Sequence, residues 1–496
     1  MTTPKTIPQR DQQTLDPTLA EAITRLTQFR QDLYDCFPSR ADALMDLSDA
    51  VAGNTRATSP AELSLNLLFR REYGSVYDAI DNFFVPTSPE TATTERRAHE
   101  QKLLRLIAGT LPPPQQRKFW LFGIDKTPAP RRFAVTLPDR TYVYQPNTLQ
   151  GNKPVTIGHD YSLLAALPEP TAPAGRPWLM PLHVRRVSSQ ENANSVAAEQ
   201  VSGLVTDPTL PFHQDLCVQV EDSGYSGLAF VGTVAPLPNL VTVVRLPSNR
   251  ILYRQPAAVA EAPKLAGHPS WYGTRFDLSD PQTWGTPDEV AQTTLTTRRG
   301  RTYTVQLQGW HHLLRRGKRH IPMHQFPCTL LRARVVDAQG QALYRHELWL
   351  MVVGARRGEL SLIEIWEAYG QRYDLEHFFR FGKQRLLLIA FHTPETPREE
   401  NWWQIAQLAY AQLWLAQPLA EALPRPWERY LPSVPRGRAS PATVQRDFER
   451  IIRQIGTPAC APKRRGNAPG RAHGTRLTPR PRQPVVKKGR QQSPVT

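Results

Sequence analysis

Between residues 366 and 388, in the stretch WEAYGQRYDLEHFFRFGKQRLLL, polar and apolar positions separate with a helical period. Tyr369, Arg372, Glu376 and Lys383 stand at offsets 0, 3, 7 and 14, which at about 100° per residue brings all four within a ~60° sector of one helix face. Ala368, Leu375, Phe379 and Leu386 form an apolar stripe beside them. The pattern predicts a helix that lies on a core and turns a row of phenol, guanidinium, carboxylate and ammonium groups toward a cleft. Helical spacing also appears near the start. Leu19, Ile23, Leu26, Phe29 and Leu33 follow Asp16-Pro17, Ser59-Pro60-Ala61-Glu62 reads as a capping box, and a third helix is expected from about Thr94 to Ala108 before Gly109 and three prolines. Residues 14–110 therefore read as an all-helical N-terminal domain.

After Pro114 the period changes. Lys118 to Ile124 is a mostly apolar run of strand length that delivers Asp125 at its end. Phe133 to Val143, Pro154 to Leu167 and Trp178 to Val187 read as further strands, Ser189 to about Leu204 as a helix, and Leu216 to Val220 as a second buried strand that runs into Glu221-Asp222-Ser223-Gly224-Tyr225. Alternation of strand and helix predicts an α/β core over 115–250, and ligands of such sheets gather where strands end, the expected position of both Asp125 and Asp222. Residues 251–358, rich in Pro, Gly and Arg with strands at Thr302 to Leu307, Cys328 to Val336 and Leu343 to Val353, read as a β-rich insertion. The end of the core and C-terminal helices, among them amphipathic Glu395 to Ala416, occupy 359–456. A basic tail over 457–496 is expected to be disordered.

Composition sharpens this. The net charge is +17, and ten of the basic residues lie beyond Ala461 with no acid among them, a balance suited to a polyanionic partner. Arg298 and Arg299, then Arg315, Arg316 and Lys318, mark two further basic clusters in the insertion as DNA-facing candidates. Four scattered cysteines show no paired spacing, so neither a disulfide framework nor a cysteine zinc site is indicated and a reducing cytoplasm fits. The apolar runs are too short to span a bilayer, which leaves no membrane partner. Asp288 and Glu289 read as part of a solvated acidic loop.

Two strand-end aspartates and a helix glutamate make an oxygen-only donor set that suits two Mg²⁺ or Mn²⁺ ions. Taken singly, each aspartate is equally an Asx turn, and the Arg372–Glu376 pair an ordinary i,i+4 pair on a solvated helix. Their joint occurrence on a basic chain favours a site. The sequence resembles the bacterial insertion-sequence DDE transposases with a YREK signature. FGIDKTP is similar to their first-strand aspartate, VEDSGY to their second, and YGQRYDLEHFFRFGK to their signature helix. The resemblance implies an RNase H-like mixed-sheet catalytic core, with Asp125, Asp222 and Glu376 as catalytic metal ligands and Tyr369, Arg372 and Lys383 on DNA. It also implies a transposase that cuts element ends and transfers the strands to target DNA, double-stranded DNA as partner, a homodimer in the synaptic complex, and a nucleoid-associated cytoplasmic location. A catalytically inactive DNA-binding remnant and a stand-alone nuclease of the same fold are the alternatives.

Overall fold

The apolar run ending at Ile124 lies at the middle of a large sheet. A computed structural model of the chain describes residues 17–145, 153–169, 178–256, 271–297, 300–422, 439–463, 473–474, 476 and 478–487. Among the described residues four α-helices come first, α1 (Pro17–Cys36), α2 (Ala41–Ala52), α3 (Gly74–Asn82) and α4 (Ala92–Ala108). Strands β1 (Trp120–Pro130), β2 (Thr141–Tyr144), β3 (Val155–Ala166) and β4 (Met180–Val187) lead to α5 (Ala193–Thr206). Then come β5 (Cys217–Glu221), α6 (Leu228–Val234) and β6 (Leu240–Leu246).

β3 runs antiparallel to β1 and β4 antiparallel to β3, while β5 and β6 run parallel to β1 on its other side. Three antiparallel strands continued by two parallel ones is the RNase H-like arrangement that the resemblance implied. The two parallel strands are covered on both faces except at Arg245, which is why they read as mostly apolar runs, with Gln219, Glu221 and Thr242 as buried polar exceptions. On one face of β1 Phe122 meets Phe212, which follows α5, with ring centroids 4.9 Å apart.

The region after β6 contributes a small antiparallel pair, β7 (Ile251–Tyr253) and β8 (Arg275–Asp277), and four longer strands, β9 (Glu289–Thr296), β10 (Thr302–Leu313), β11 (Cys328–Val336) and β12 (Leu348–Val353). These four extend the core sheet itself: β12 pairs with β6, and the order runs on through β11 and β10 to β9. Glu289, expected in a solvated loop, opens β9, and the Asp288 carboxylate accepts the His311 N–H at 2.7 Å. Phe276, Trp284, Trp310 and Trp349 pack edge to face where the small pair covers the extension. Large apolar rings hold that junction.

After β12 the described residues form α7 (Leu362–Gln371), α8 (Tyr373–Arg385), α9 (Thr396–Ala422) and α10 (Pro441–Ile455). α9, expected to be amphipathic, is buried along nearly its whole length because α1, α2, α3, α10 and β4 surround it. Arg30 of α1 is fully buried there, donating to Asp49 of α2 at 2.8 Å and also to Gln412 of α9. Asp49→Ala strands that guanidinium in the core, and we expect a loss of about 3–5 kcal/mol in chemical denaturation.

Three local expectations need correction. Ser59 makes no cap, and Glu62 bonds Thr58 instead, so only a 3₁₀ turn forms at Pro60–Leu65. The expected strand from Phe133 shrinks to β2, because Arg140 is buried among turn carbonyls of residues 131–137 and holds that segment in turns. One segment of the tail, expected to be disordered, is held in place: Gln483 donates to the Val135 carbonyl at 2.9 Å and Val486 to that of Arg140 at 2.8 Å, clipping the segment beside β2.

Candidate active site

Asp125 stands where β1 loses its parallel neighbour. β5 accompanies β1 only as far as Gly123, while β3 follows it to Pro130, so the strand continues past Asp125 rather than ending there as expected. Asp222 follows β5 directly and caps a 3₁₀ turn, its side chain accepting the Gly224 N–H at 2.7 Å. Just before it, Glu221 is fully buried with neither carboxyl oxygen hydrogen-bonded, and burial raises its carboxyl well above the usual range.

The third acid arrives on a helix. The sequence predicted one uninterrupted helix through residues 366–388. Instead α7 and α8 meet at Arg372, whose N–H bonds the carbonyl of Tyr369, three residues back, tightening one turn. The apolar stripe behaves as expected, with Ala368, Leu375, Phe379 and Leu386 all buried. Gly123 sets how near α8 can come. A β-carbon there would lie 3.0 Å from Leu375 Cδ1 and 3.2 Å from Leu167 Cδ1. Asp125 shares a strand face with Gly123, two residues away, and Leu375 adjoins Glu376, so this close approach brings the two acids together. Gly123→Val pushes the helix off the strand, and we expect at least a hundredfold loss of nuclease rate, about the effect of an ångström-scale displacement, with a fold still cooperative by thermal melting.

Arg372 joins the acids, reaching Asp125 Oδ2 at 3.5 Å and Glu376 Oε1 at 3.1 Å. The Lys126 N–H donates to Asp125 at 2.8 Å. The Asp125 carboxyl is nevertheless pushed up to about 6, first by burial and then by the negative charge of Asp222, with Glu376 adding to it against Lys126 and Arg372. A positively charged group is therefore favoured in this cluster beyond what Arg372 supplies. Among the described residues no three carboxyl, imidazole or thiol groups close into a ready-made metal cage.

The Arg372 guanidinium lies 5.9 Å from the Tyr369 ring centroid, and the phenol is raised by burial against the opposing charge of Arg372 and Arg245. Lys383 sits farther along α8, its ammonium lowered by burial, with Asp160 as the acid that favours its charge. Arg316 stacks over Tyr253 and Tyr272, at 5.2 and 5.7 Å. Neighbouring Arg315 has a buried Nη1 without a hydrogen bond, and Lys318 bridges to Ile321, which packs over Gly232 of α6. No described contact joins this loop to the three acids. Arg298 and Arg299 lie outside the described residues.

Sequence reasoning missed a cavity beside Arg372 and Tyr369. Arg245, Arg334, Arg345, Trp366 and Tyr373 line it, in a volume of about 510 Å³. Arg245 left a signal, being the exposed position of an otherwise buried strand, LVTVVRL.

The family model described as DDE superfamily endonuclease matches residues 32–312. The chain belongs to the DDE superfamily endonucleases. No curated protein matches it. Membership in this superfamily places the chain among nucleic-acid-cleaving enzymes whose substrate is DNA and whose members typically use divalent metal ions. For a DDE endonuclease the donor set fits such ions: three hard carboxylates with an unmet demand for positive charge. The match includes Asp125 and Asp222 and stops before α7 and α8, so it does not reach Glu376 or the YREK stretch. No described helix is long and apolar enough to cross a membrane.

Proposed function

We propose that this DDE endonuclease is a transposase. It cuts DNA at the ends of its own element and joins the freed 3′ ends to target DNA. The observation that carries the reading is the meeting of Asp125, Asp222 and Glu376, from three elements remote in sequence, in one electrostatically coupled cluster bridged by Arg372.

In this reading the three acids hold two Mg²⁺ or Mn²⁺ ions. When bound, such ions activate the attacking oxygen and stabilise the departing 3′ oxygen of an in-line displacement at phosphorus. Water is the nucleophile of the cut and the 3′-hydroxyl that of the joining step. Arg372 turns from the carboxylates to a phosphate next to the scissile bond, a role its bidentate fork suits. Tyr369, buried against it, fixes its position and offers a hydroxyl to the same strand. Lys383, about three turns beyond Arg372, takes a more distant phosphate, and Arg298, Arg299, Arg315, Arg316 and Lys318 grip the flanking duplex. Two element ends call for two copies of the chain.

The test is incubation with a labelled duplex carrying the element end, with and without Mg²⁺. A transposase cuts and joins. Cutting without joining identifies a stand-alone nuclease, and neither reaction identifies a DNA-binding remnant. The tail gives an independent readout: truncation after Gly456 is expected to weaken nonspecific duplex binding and lower the log–log salt slope by about 0.9 for each phosphate no longer neutralised.

A further inference from the structure

The two ends of the large sheet are treated differently. At one, the C-terminal segment lies along β2, with Val486 bridging Thr141. At the other, β9 ends the strand order, and among the described residues no strand pairs with its outer edge. Exposed edges are usually guarded by charge, proline or a bulge. From Val290 to Thr296 β9 reads VAQTTLT, with none of these, and Val290 is 68% exposed. Its register against β10 is unbroken over eight pairs.

We infer that this edge is where two copies of the chain join, β9 against β9 and antiparallel, merging the two sheets into one. The strand's own alternation supports that occupant. The Thr297 N–H bonds the Arg301 carbonyl in the turn to β10, so odd-numbered residues of β9 address β10 and the N–H and C=O groups of Val290, Gln292, Thr294 and Thr296 point outward. A two-fold axis at Thr293 then sets Gln292 opposite Thr294 of the second copy and Val290 opposite Thr296. Every facing pair presents free backbone groups. On the other side of the strand the same axis places Ala291 against Leu295 twice, and both are partly buried residues that already pack on the core. Charge agrees: acidic Asp288 and Glu289 stand at the start of the strand, exposed Arg301 follows it, and antiparallel pairing brings each acidic end beside the other copy's basic end.

This pairing is independent of the chemistry at Asp125, Asp222 and Glu376, and its test needs no DNA. Light scattering and sedimentation of the full chain are expected to give a dimer. Thr294→Pro removes an outward N–H that β10 does not use, so the monomer tolerates it. By symmetry two hydrogen bonds are lost, and the dimer Kd should rise about a hundredfold. Gln292→Lys, which keeps every backbone group, should weaken it by about tenfold through a charge set into a neutral seam. Circular dichroism melting of both variants should match the parent at concentrations where all are monomeric. A monomeric parent chain, or a Thr294→Pro variant that dimerises as tightly as the parent, overturns the assignment.

Discussion

Asp222→Ala is expected to abolish Mg²⁺-dependent cleavage of an element-end duplex, by at least about a thousandfold, while leaving duplex affinity within about twofold. The split follows from where the residue sits. Asp222 lies directly after a fully buried strand, and its negative charge is near enough to raise the Asp125 carboxyl. Removing it takes a negative charge out of the acidic cluster and leaves Arg372, Lys383 and the basic loop in place to hold phosphates. Cleavage gels and a fluorescence anisotropy titration on the same preparation read the two effects separately. The turn it caps loses one hydrogen bond, from the Gly224 N–H, a cost near ~1 kcal/mol.

Asp125→Asn is expected to do two things at once: eliminate cleavage and stabilise the metal-free fold at neutral pH. In the folded chain the Asp125 carboxyl is raised from an ordinary 3.8 to about 6, so the fold prefers it protonated. Its favourable contribution is complete below about pH 4 and is lost as the pH climbs through 6. At pH 7 the parent carries this group in its disfavoured charged form, and asparagine replaces it with a neutral isostere. We expect a gain of about 1–3 kcal/mol at pH 7. The gain should shrink toward zero as the pH falls below about 4, read by denaturant titrations across that range in the presence of a chelator. Stability sacrificed at a functional cluster is the usual sign that charge is kept there for binding.

Much of this was legible from the residues alone. The buried parallel strands announced themselves because residues covered on both faces are mostly apolar, and the helix stripe of Ala368, Leu375 and Phe379 because one face of α7 and α8 rests on the sheet. What stayed hidden depends on neighbours distant in sequence. The break between α7 and α8 falls at Arg372, whose side chain pairs with Asp125, 247 residues away, a partner no local pattern reveals. The burial of α9 depends on helices from the far end of the chain, and nothing local separates a helix with one apolar face from one enclosed on all sides. β9 is built largely from threonine, glutamine and small residues, and its half-exposed edge position gives no strong alternation of hydrophobicity. The docking of Gln483 and Val486 escaped because it rests on backbone hydrogen bonds to residues 135–140 and on two arginine contacts between residues far apart in sequence, Arg140 to the Gln483 carbonyl at 3.2 Å and Arg480 to Glu395 at 2.6 Å.

The claim on which the function rests is that Asp125, Asp222 and Glu376 form one cation site. Calorimetric titration of the full chain with Mn²⁺, repeated on Asp125→Asn, Asp222→Ala and Glu376→Gln, tests it without DNA or catalysis. Heat of binding in the parent, abolished or weakened by at least about tenfold in each of the three variants, is the predicted result. Undiminished binding by Glu376→Gln would contradict the account, because the helix glutamate would then lie outside the site the two strand aspartates form.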